Sequence, residues 1–399
     1  MISKRSSILI LITIFIVYFG AMVIVAYLPQ YLDFLETPKP LISLTLSIFL
    51  STLFIFPPII GRFSDKLQNR YYFILIGALG ILFSSFLMLF AKNLILINIS
   101  LFLLGFSASS FTILFTLYTE LVQNDSKKIS YYNAAIAAGW FTGVQCGGIF
   151  IDFFGIQQIF LFSLLIFLLS IFFVIFIKED RQLILEHSKK SNEENLNESS
   201  EIITKGKNSN FKSIYYGIFF RAFGIAPILG IIVIIMRFHL TSNTQIGFLV
   251  GVNPLLQFFL LLYIGRLITN KNIKSFMLLG YILSVVIIIG YIFSFDFWSF
   301  LVIQILVSSS YSIFWMASVI YIAKNSTPKN KGSFIGKANS SGFAGDSIGG
   351  LFFTILLVIF QSDYYLAMYF MIMFPIISLV VISLKFKPNQ KLHVTPKGT

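Results

Sequence analysis

The chain has 399 residues, of which 57% are hydrophobic and only 11% are charged. Soluble domains carry about 25% charged residues, so this chain has too few of them to cover a surface that faces water. Its net charge is +13, and its single cysteine excludes an intrachain disulfide. The composition favours a membrane protein and excludes a small secreted domain held together by disulfides.

Apolar segments long enough to cross a bilayer recur along the whole chain. In lipid each must be a helix, because a helix satisfies its backbone polar groups internally. The first segment follows Lys4 and Arg5 as in a secretory signal, but its apolar run is too long, so we expect it to be retained. The twelve predicted spans are 7–32, 41–60, 71–91, 94–118, 131–151, 157–177, 213–236, 245–264, 275–294, 298–323, 333–360 and 364–384.

Basic residues are distributed unevenly between the two sides that this layout defines. Nearly all of them fall on the side that carries both termini. Lys39, Lys92 and Arg237 fall on the other side, and Arg221 and Lys337 lie within predicted helices. The positive-inside rule then places both termini in the cytoplasm of a multi-pass plasma-membrane protein. The basic excess is therefore an orientation signal, and we expect no nucleic-acid partner.

A polar segment divides the spans into two sets of six. Residues 178–212 contain few aromatic residues and are typical of a flexible cytoplasmic linker, although binding of a regulator is an alternative. The flanking regions are 1–177 and 213–399, the second ending in a short cytoplasmic tail. The sequence "GRFSDKLQNR" at 61–70 is echoed by "GRLITNKNIK" at 265–274, and "GWFTGVQCGG" at 139–148 by "SGFAGDSIGG" at 341–350.

Repeats at a nearly constant offset predict two similar bundles. The predicted fold is an all-α membrane protein with twelve transmembrane helices in two pseudo-symmetric six-helix bundles. Paired bundles with a site at their interface are a transporter architecture.

The stretch "GRFSDKLQNR" resembles the loop signature of the major facilitator superfamily (MFS) of transporters, G-x-x-x-D-[RK]-x-G-[RK]-[RK]. The matching residues are Gly61, Asp65, Lys66 and Arg70. Gln68 stands in place of a glycine and Asn69 in place of a basic residue. The loop also lies between the second and third spans, as it does in that family.

The resemblance implies a conformational latch on the cytoplasmic side. Asp65 would face the start of the eleventh span near Gly332–Ser333, and Arg70 would pair with Glu120 or Asp125. The latch would join the two bundles in one state and release them in the other. Plain positive-inside charge is the alternative interpretation of this loop.

The stretch "GWFTGVQCGG" resembles the glycine-rich motif of the family's fifth helix. The matching residues are Gly139, Gly143, Gly147 and Gly148, and Val144 replaces a proline. Glycines four residues apart form a smooth face that permits close helix packing in lipid. The family associates the motif with antiporters. An arginine that is usual in drug–proton antiporters is replaced by Leu101.

Three ionisable residues lie inside predicted spans, where such residues are functional candidates. Arg221 is about 12 Å and Asp346 about 20 Å from the cytoplasmic ends of their helices. Arg221 keeps its charge and needs an anionic partner, either the solute or Asp346, and a structural ion pair remains an alternative. Asp346 is the predicted coupling residue for a proton. Lys337 is shallow and can extend to the membrane surface.

Polar and aromatic residues form a stripe along one face of the tenth span. Because the family lines its central cavity with helices 1, 4, 7 and 10, the resemblance implies a solute site there. Packing between helices is the alternative. The predicted binding residues are Arg221, Gln304, Tyr311 and Trp315, with Asn253 and Gln257 from the eighth span.

The predicted function is secondary transport of a small polar or anionic solute by alternating access, with or without a coupled proton. The alternatives are an uncoupled facilitator and a non-transporting receptor on the same fold. An enzyme is disfavoured because His187, His239 and His393 all lie outside the spans and the sequence offers no cysteine or paired-carboxylate site. Nucleotide-driven pumping is disfavoured because no P-loop occurs. We expect no cofactor or metal, and a monomer whose partners are the solute, protons and lipid.

Overall fold

The computed structural model describes residues 2–67, 69–122, 126–177, 205–326 and 328–388. In these ranges the chain is helical apart from short connections. The helices are α1 Ile2–Phe34, α2 Lys39–Leu67, α3 Arg70–Phe90, α4 in two pieces (Leu94–Ala108 and Phe111–Leu121), α5 Ser126–Phe154, α6 Ile159–Ile175, α7 Lys205–Arg237, α8 Asn243–Leu267, α9 Ile273–Ile292, α10 Phe297–Lys324, α11 Pro328–Ile359, and α12 in two pieces (Tyr364–Met371 and Met373–Lys385). Twelve spans in the described ranges are long and apolar enough to cross a membrane, which confirms the predicted helical fold.

Short polar side chains cap several helices and fix the residue at which each begins, which the apolar runs alone do not specify. The side chains of Asn69, Asn93 and Ser242 each accept a hydrogen bond from the backbone at the start of α3, α4 and α8. Asp296 and Asp363 do the same for α10 and α12. These caps satisfy N–H groups that lack partners within the helix, so each span begins at a definite residue.

The connections lie on two opposite sides of the molecule. We call the side with the α2–α3, α4–α5, α8–α9 and α10–α11 connections the linker side, since segment 178–204 also joins α6 to α7 there. The other side, with the α1–α2, α3–α4, α5–α6, α7–α8, α9–α10 and α11–α12 connections, is the far side. Each helix crosses from one side to the other.

The two halves of the chain, α1–α6 and α7–α12, pack in the same way. Helix α5 lies against α1, and α11 lies correspondingly against α7. The halves meet along two lines of contact, α5 with α8 and α2 with α11. We call these the α5–α8 seam and the α2–α11 seam, and the pairing follows the predicted repeat.

Helix α7 begins earlier than its apolar run predicts. The predicted span starts at residue 213, whereas the helix starts at Lys205. The Asn210 side chain donates hydrogen bonds to the Tyr321 hydroxyl at 2.8 Å and to the Lys387 carbonyl at 2.7 Å. The end of the predicted linker is therefore helical, because polar contacts with α10 and the segment after α12 extend α7 beyond its apolar part.

Candidate functional site

The loop predicted to form a latch is partly described. Arg70 Nη2 lies 2.6 Å from Glu120 Oε1, so an ion pair joins the start of α3 to the end of α4 within the N-terminal half. Lys66 is exposed. The side chain of Asp65 and the whole of Asp125 lie outside the described part of the structure. The Arg70–Glu120 pair does not connect the two halves.

The glycines of α5 lie where α1 approaches most closely. A Cβ atom added to Gly139 would lie 2.6 Å from the Phe15 carbonyl, and one added to Gly143 would lie 2.9 Å from Met22 Cβ. A Cβ atom added to Gly147 would lie 2.8 Å from the Tyr27 ring. These distances are shorter than carbon contacts allow, so the α1–α5 packing requires glycine at these positions.

Glycine also opens the α5–α8 seam to close contact. A Cβ atom on Gly148 would collide with the Asn243 carbonyl and lie 2.6 Å from the Tyr27 hydroxyl. One on Gly247 would lie 2.7 Å from both that hydroxyl and the Val144 carbonyl. The Tyr27 hydroxyl donates to the Val144 carbonyl at 2.8 Å, so α1, α5 and α8 meet at one point on the far side.

Asp152 binds the first residues of α8 across the same seam. Its carboxylate accepts hydrogen bonds from the backbone N–H groups of Asn243 and Thr244 at 2.9 and 2.8 Å. It also accepts bonds from the side chains of Ser242, Asn243 and Thr244 at 2.8–2.9 Å. An anion at a helix N-terminus interacts favourably with the helix dipole and with unpaired N–H groups. Asp152 thus ties the N-terminal half to the C-terminal half on the far side.

Serine residues connect the halves along the α2–α11 seam. Ser51 Oγ lies 2.5 Å from Ser347 Oγ, and the Ser43 hydroxyl donates to the Gly350 carbonyl at 3.2 Å. Lys39, at the start of α2, places its ammonium group 4.6 Å from the centre of the Tyr364 ring of α12. The contacts of this seam that the structure describes extend from the far-side ends of α2 and α11 to the middle of the two helices, where Ser51 and Ser347 lie.

Two glycines in the linker-side parts of α2 and α11 are not packed against any neighbouring helix that the structure describes. Among the described residues, a Cβ atom added to Gly61 of α2 or to Gly336 of α11 would meet nothing within 4 Å. Lys337 is exposed, with its ammonium group 5.4 Å from the centre of the Phe334 ring. In the described part of the chain, the polar contacts that join the halves lie on the far side and at mid-depth, whereas these two glycines on the linker side make no such contact.

Arg221 is buried, with 6% of its surface exposed, and extends into the C-terminal half. Its Nε donates to Ser284 of α9 at 2.8 Å and its Nη2 to Ser310 of α10 at 3.4 Å. The guanidinium carbon lies 4.3 Å from the centre of the Phe314 ring and 5.8 Å from that of Tyr311. Among the described residues Arg221 forms no ion pair within 4.0 Å.

Asp346 is half-buried on the helix that contacts both halves. A Cβ atom on the preceding Gly345 would lie 2.8 Å from Ala222 Cβ of α7, and the following Ser347 contacts Ser51 of α2. The structure thus places the predicted coupling residue beside the α2–α11 seam, near Arg221 but not paired with it.

The stripe on α10 divides into two environments. Gln304 is 1% exposed, and the buried Ser308 hydroxyl donates to the backbone carbonyl and side-chain oxygen of Asn253 in α8, both at 3.0 Å. Tyr311 and Trp315 are half-buried, with ring centres 6.0 Å apart and planes 21° from parallel. The polar end of the stripe therefore packs on α8, and the aromatic end is partly open. Gln257 of α8 is also half-buried.

Sequence reasoning missed the residues that close the far side, above all Asp152, Tyr27 and Asn243. Asp152 is the single acidic residue in the apolar run "GGIFIDFFG", and this isolated charge is a pattern that indicates a functional candidate. Ser43, Ser47 and Ser51 recur every four residues on α2, a spacing that indicates a polar helix contact at the α2–α11 seam. Neither pattern identifies the partner, because the contacting residues lie far away in the chain.

Comparisons with known proteins agree with this architecture. Residues 10–213 and 214–399 each match a family model described as Major Facilitator Superfamily. The chain is 27% identical over 198 residues to "Multidrug resistance protein 2" of Bacillus subtilis, a match that spans 47% of this chain and 49% of the relative.

Solved structures share the fold at low sequence identity. A mutant of the nucleoside transporter NupG superposes with a TM-score of 0.80 at 10% identity, covering 96% of this chain and 100% of the other. A POT family transporter in complex with 5-aminolevulinic acid gives 0.77 at 11% identity, covering 95% of each chain. Together with the two family matches, which span nearly the whole sequence, these findings show that the chain belongs to the major facilitator superfamily.

Proposed function

We propose that this membrane transporter moves a small polar or anionic solute by alternating access between the two halves of the chain. The bundles are residues 1–177 and 213–399, joined by a linker at 178–212, with both termini in the cytoplasm of a cell whose plasma membrane it spans. The family consists of secondary transporters rather than enzymes. The observation that carries the proposal is the contrast between the far side, where Asp152 joins the halves, and Gly61 and Gly336 on the linker side, where an added Cβ atom would meet nothing within 4 Å among the described residues.

A one-sided closure is what a rocking mechanism requires of each of its two states. In the proposed cycle, Asp152 holds the far side closed and the Ser51–Ser347 contact joins the halves at mid-depth, while the solute enters the site from the linker side. In the other state these contacts break, and the linker-side ends of α2 and α11 approach each other. The loop at 61–70, with Asp65, Lys66 and Arg70, then serves as the latch.

The charges at mid-depth support a polar or anionic solute. Arg221 keeps its positive charge at any physiological pH. Its nearest hydrogen-bond acceptors are two neutral serines, and among the described residues no carboxylate pairs with it. A negative or acceptor-rich solute would complement the field of this cation. Gln304, Asn253 and Gln257 add polar groups to the same half of the protein.

Asp346 is the residue that we assign to proton coupling. A carboxylate inside a span is costly when charged, so its protonation responds to its surroundings. Because its neighbours Gly345 and Ser347 contact α7 and α2, those surroundings change when the α2–α11 seam opens. An uncoupled facilitator is the alternative if Asp346 keeps one protonation state.

Cross-linking tests alternating access without a known solute. In a Cys146→Ser background, Ser51→Cys/Ser347→Cys should form a disulfide quickly, since the serine oxygens already touch. Gly61→Cys/Gly336→Cys should form one slowly, through the other state. Gly61→Cys/Lys92→Cys, with one residue on each side of the membrane, is the control that should not cross-link. If only the first pair reacts, the halves are static and the receptor alternative gains support.

The solute can be sought by thermal shift. A ligand that binds the native state adds RT ln(1 + [L]/Kd) to the free energy of unfolding and so raises the unfolding temperature. A panel of sugars, nucleosides, amino acids and organic acids should contain at least one stabilising compound. Stabilisation by lipophilic cations alone would contradict a polar or anionic solute.

A further inference from the structure

Two tyrosine–tryptophan pairs lie in the interior of the molecule, one in each half. Tyr18 of α1 and Trp140 of α5 have ring centres 6.0 Å apart with planes at 43°. Tyr311 and Trp315 of α10 have the same separation with planes at 21°. All four side chains are half-buried rather than fully packed.

The first pair faces the space between the halves. On α5, Gly143 and Gly147 contact α1, whereas Phe141 and Gly148 contact α8. At about 100° per residue, Trp140 projects between these two contact faces. Helix α1 belongs to the N-terminal half and α8 to the C-terminal half, so Trp140 points at the space between the halves rather than at lipid.

The second pair faces the same space from the other half. Val302 and Ile305, on the opposite face of α10, are 55% and 40% exposed and mark its lipid side. Phe314 packs on α9 at Gly280, and Ser308 packs on α8. Tyr311 and Trp315 lie between those two contacts and away from the lipid side.

The two pairs lie at the same level in the membrane. At 1.5 Å per residue, Trp140 and Trp315 are both about 14 Å from the linker-side ends of their spans. By the same measure Tyr18 is about 18 Å deep and Tyr311 about 20 Å. Arg221 and Asp346, at about 16 and 20 Å, complete a layer of ionisable and aromatic groups near the middle of the membrane.

One ring in this layer carries a hydrogen-bond donor without a partner. The indole nitrogen Nε1 of Trp140 is buried and has no acceptor among the described residues. Buried donors in folded proteins almost always have a partner, so an unpaired one requires an explanation. Because this nitrogen has almost no accessible surface, an acceptor atom on a solute between the two halves would pair with it after the Trp140 ring turns towards that space.

We propose that the solute is a planar aromatic molecule carrying a hydrogen-bond acceptor, held between the Tyr18–Trp140 and Tyr311–Trp315 pairs. This inference rests on the proposed transport function and deepens it by naming the solute class. Flat rings stack on or pack edge-on against such pairs, and the acceptor binds the Trp140 N–H. A saturated ring of equal size fills the space without these ring interactions.

The three tryptophans of the chain provide the test. Full-length protein with single tryptophans is prepared as Trp298→Phe/Trp315→Phe, Trp140→Phe/Trp298→Phe and Trp140→Phe/Trp315→Phe. The last keeps only Trp298, which is 70% exposed near the far side and serves as the control. The probes are benzoate, benzamide and 2-naphthoate, each paired with its saturated-ring counterpart.

The inference predicts that at least one aromatic probe changes the emission of Trp140 and of Trp315 with the same apparent Kd and leaves Trp298 unchanged. Its saturated counterpart should bind about tenfold more weakly. The inference is overturned if no aromatic probe affects both tryptophans, if Trp298 responds equally, or if both members of a pair bind alike. The cross-linking experiment tests transport without these probes, so failure of the aromatic-solute inference can be distinguished from failure of the proposed function.

Discussion

The α5–α8 and α2–α11 seams occupy equivalent places in the repeat but close by different chemistry. In each seam a glycine admits the partner helix, Gly148 against Asn243 and Gly350 against Ser47. Beyond the glycine, α5 presents the Asp152 carboxylate to the start of α8. At the corresponding place α11 has Thr354, whose hydroxyl donates to the Gly350 carbonyl of its own helix.

This difference indicates which seam holds the far side closed more firmly. Hydrogen bonds to a carboxylate are roughly twice as strong as those between neutral groups. The α2–α11 seam relies on neutral serine contacts, and such bonds between membrane helices contribute on average about 0.6 kcal/mol. The α5–α8 seam should therefore dominate the free energy of the closed far side, while the weaker seam carries Asp346 and can respond to its protonation.

Breaking the stronger seam should have the largest effect. Asp152→Ala removes the acceptor of five hydrogen bonds and should cost the closed far side about 2 kcal/mol, a value reduced because the carboxylate is partly hydrated. That is roughly a thirtyfold shift towards the far-side-open state. Spin labels attached at Lys92→Cys and Phe295→Cys in the Cys146→Ser background report this shift as a longer distance between the two labels. Asp152→Asn, which keeps one acceptor oxygen, should shift less; equal distances in all three proteins would contradict this assignment.

Removing the charge beside the weaker seam should uncouple transport from pH. With one proton per solute, a gradient of one pH unit drives about tenfold accumulation. In liposomes, Asp346→Asn should abolish that accumulation yet preserve solute exchange, because the site remains and only the titrating group is lost. The measurement uses a compound identified by thermal shift. A variant that still concentrates it would show that Asp346 is structural and that the protein is a facilitator or uses another ion.

A matched pair of glycine substitutions compares the two seams directly. The added methyl group of Gly148→Ala would meet the backbone carbonyl of Asn243, which cannot easily move, whereas that of Gly350→Ala would meet the Ser47 side chain. Overpacking against backbone should cost about 1 kcal/mol more, so Gly148→Ala should open the far side about fivefold further. The same spin-label distance reports both. A larger effect at Gly350 would reverse the proposed order of the seams.

The smallest effect should come from the serine contact. Ser51→Ala and Ser347→Ala each remove the same neutral hydrogen bond between the halves, and Ser51→Ala also removes a bond to the Ser47 carbonyl within α2. Loss of the bond between the halves should shift the distance distribution about threefold towards the open state. The double variant should give the same distance distribution as either single variant, because each substitution removes the same bond between the halves. Additive effects would mean that the two serines act separately and not through the contact between them.

Much of the architecture could be predicted from the sequence alone. Lipid offers no partners for backbone groups, so twelve apolar runs had to become helices, and their ends lie close to the predicted bounds. The duplicated "GRFSDKLQNR" and "GWFTGVQCGG" stretches predicted the two-part repeat because similar sequences fold into similar units. The glycine spacing on α5 predicted a close helix contact, and the structure places α1 there.

Only the tertiary structure decided where the polar side chains point. A periodic pattern locates a residue on a face, but a long side chain such as Arg221 can extend to either neighbour, and here it reaches Ser284 and Ser310. The α10 stripe looked uniform, yet packing on α8 buries Ser308 and leaves Tyr311 partly open. Asp152 and Asn243 are 91 residues apart, with α6, the linker and α7 between them. Their contact depends on how the two halves meet, and no local pattern encodes that.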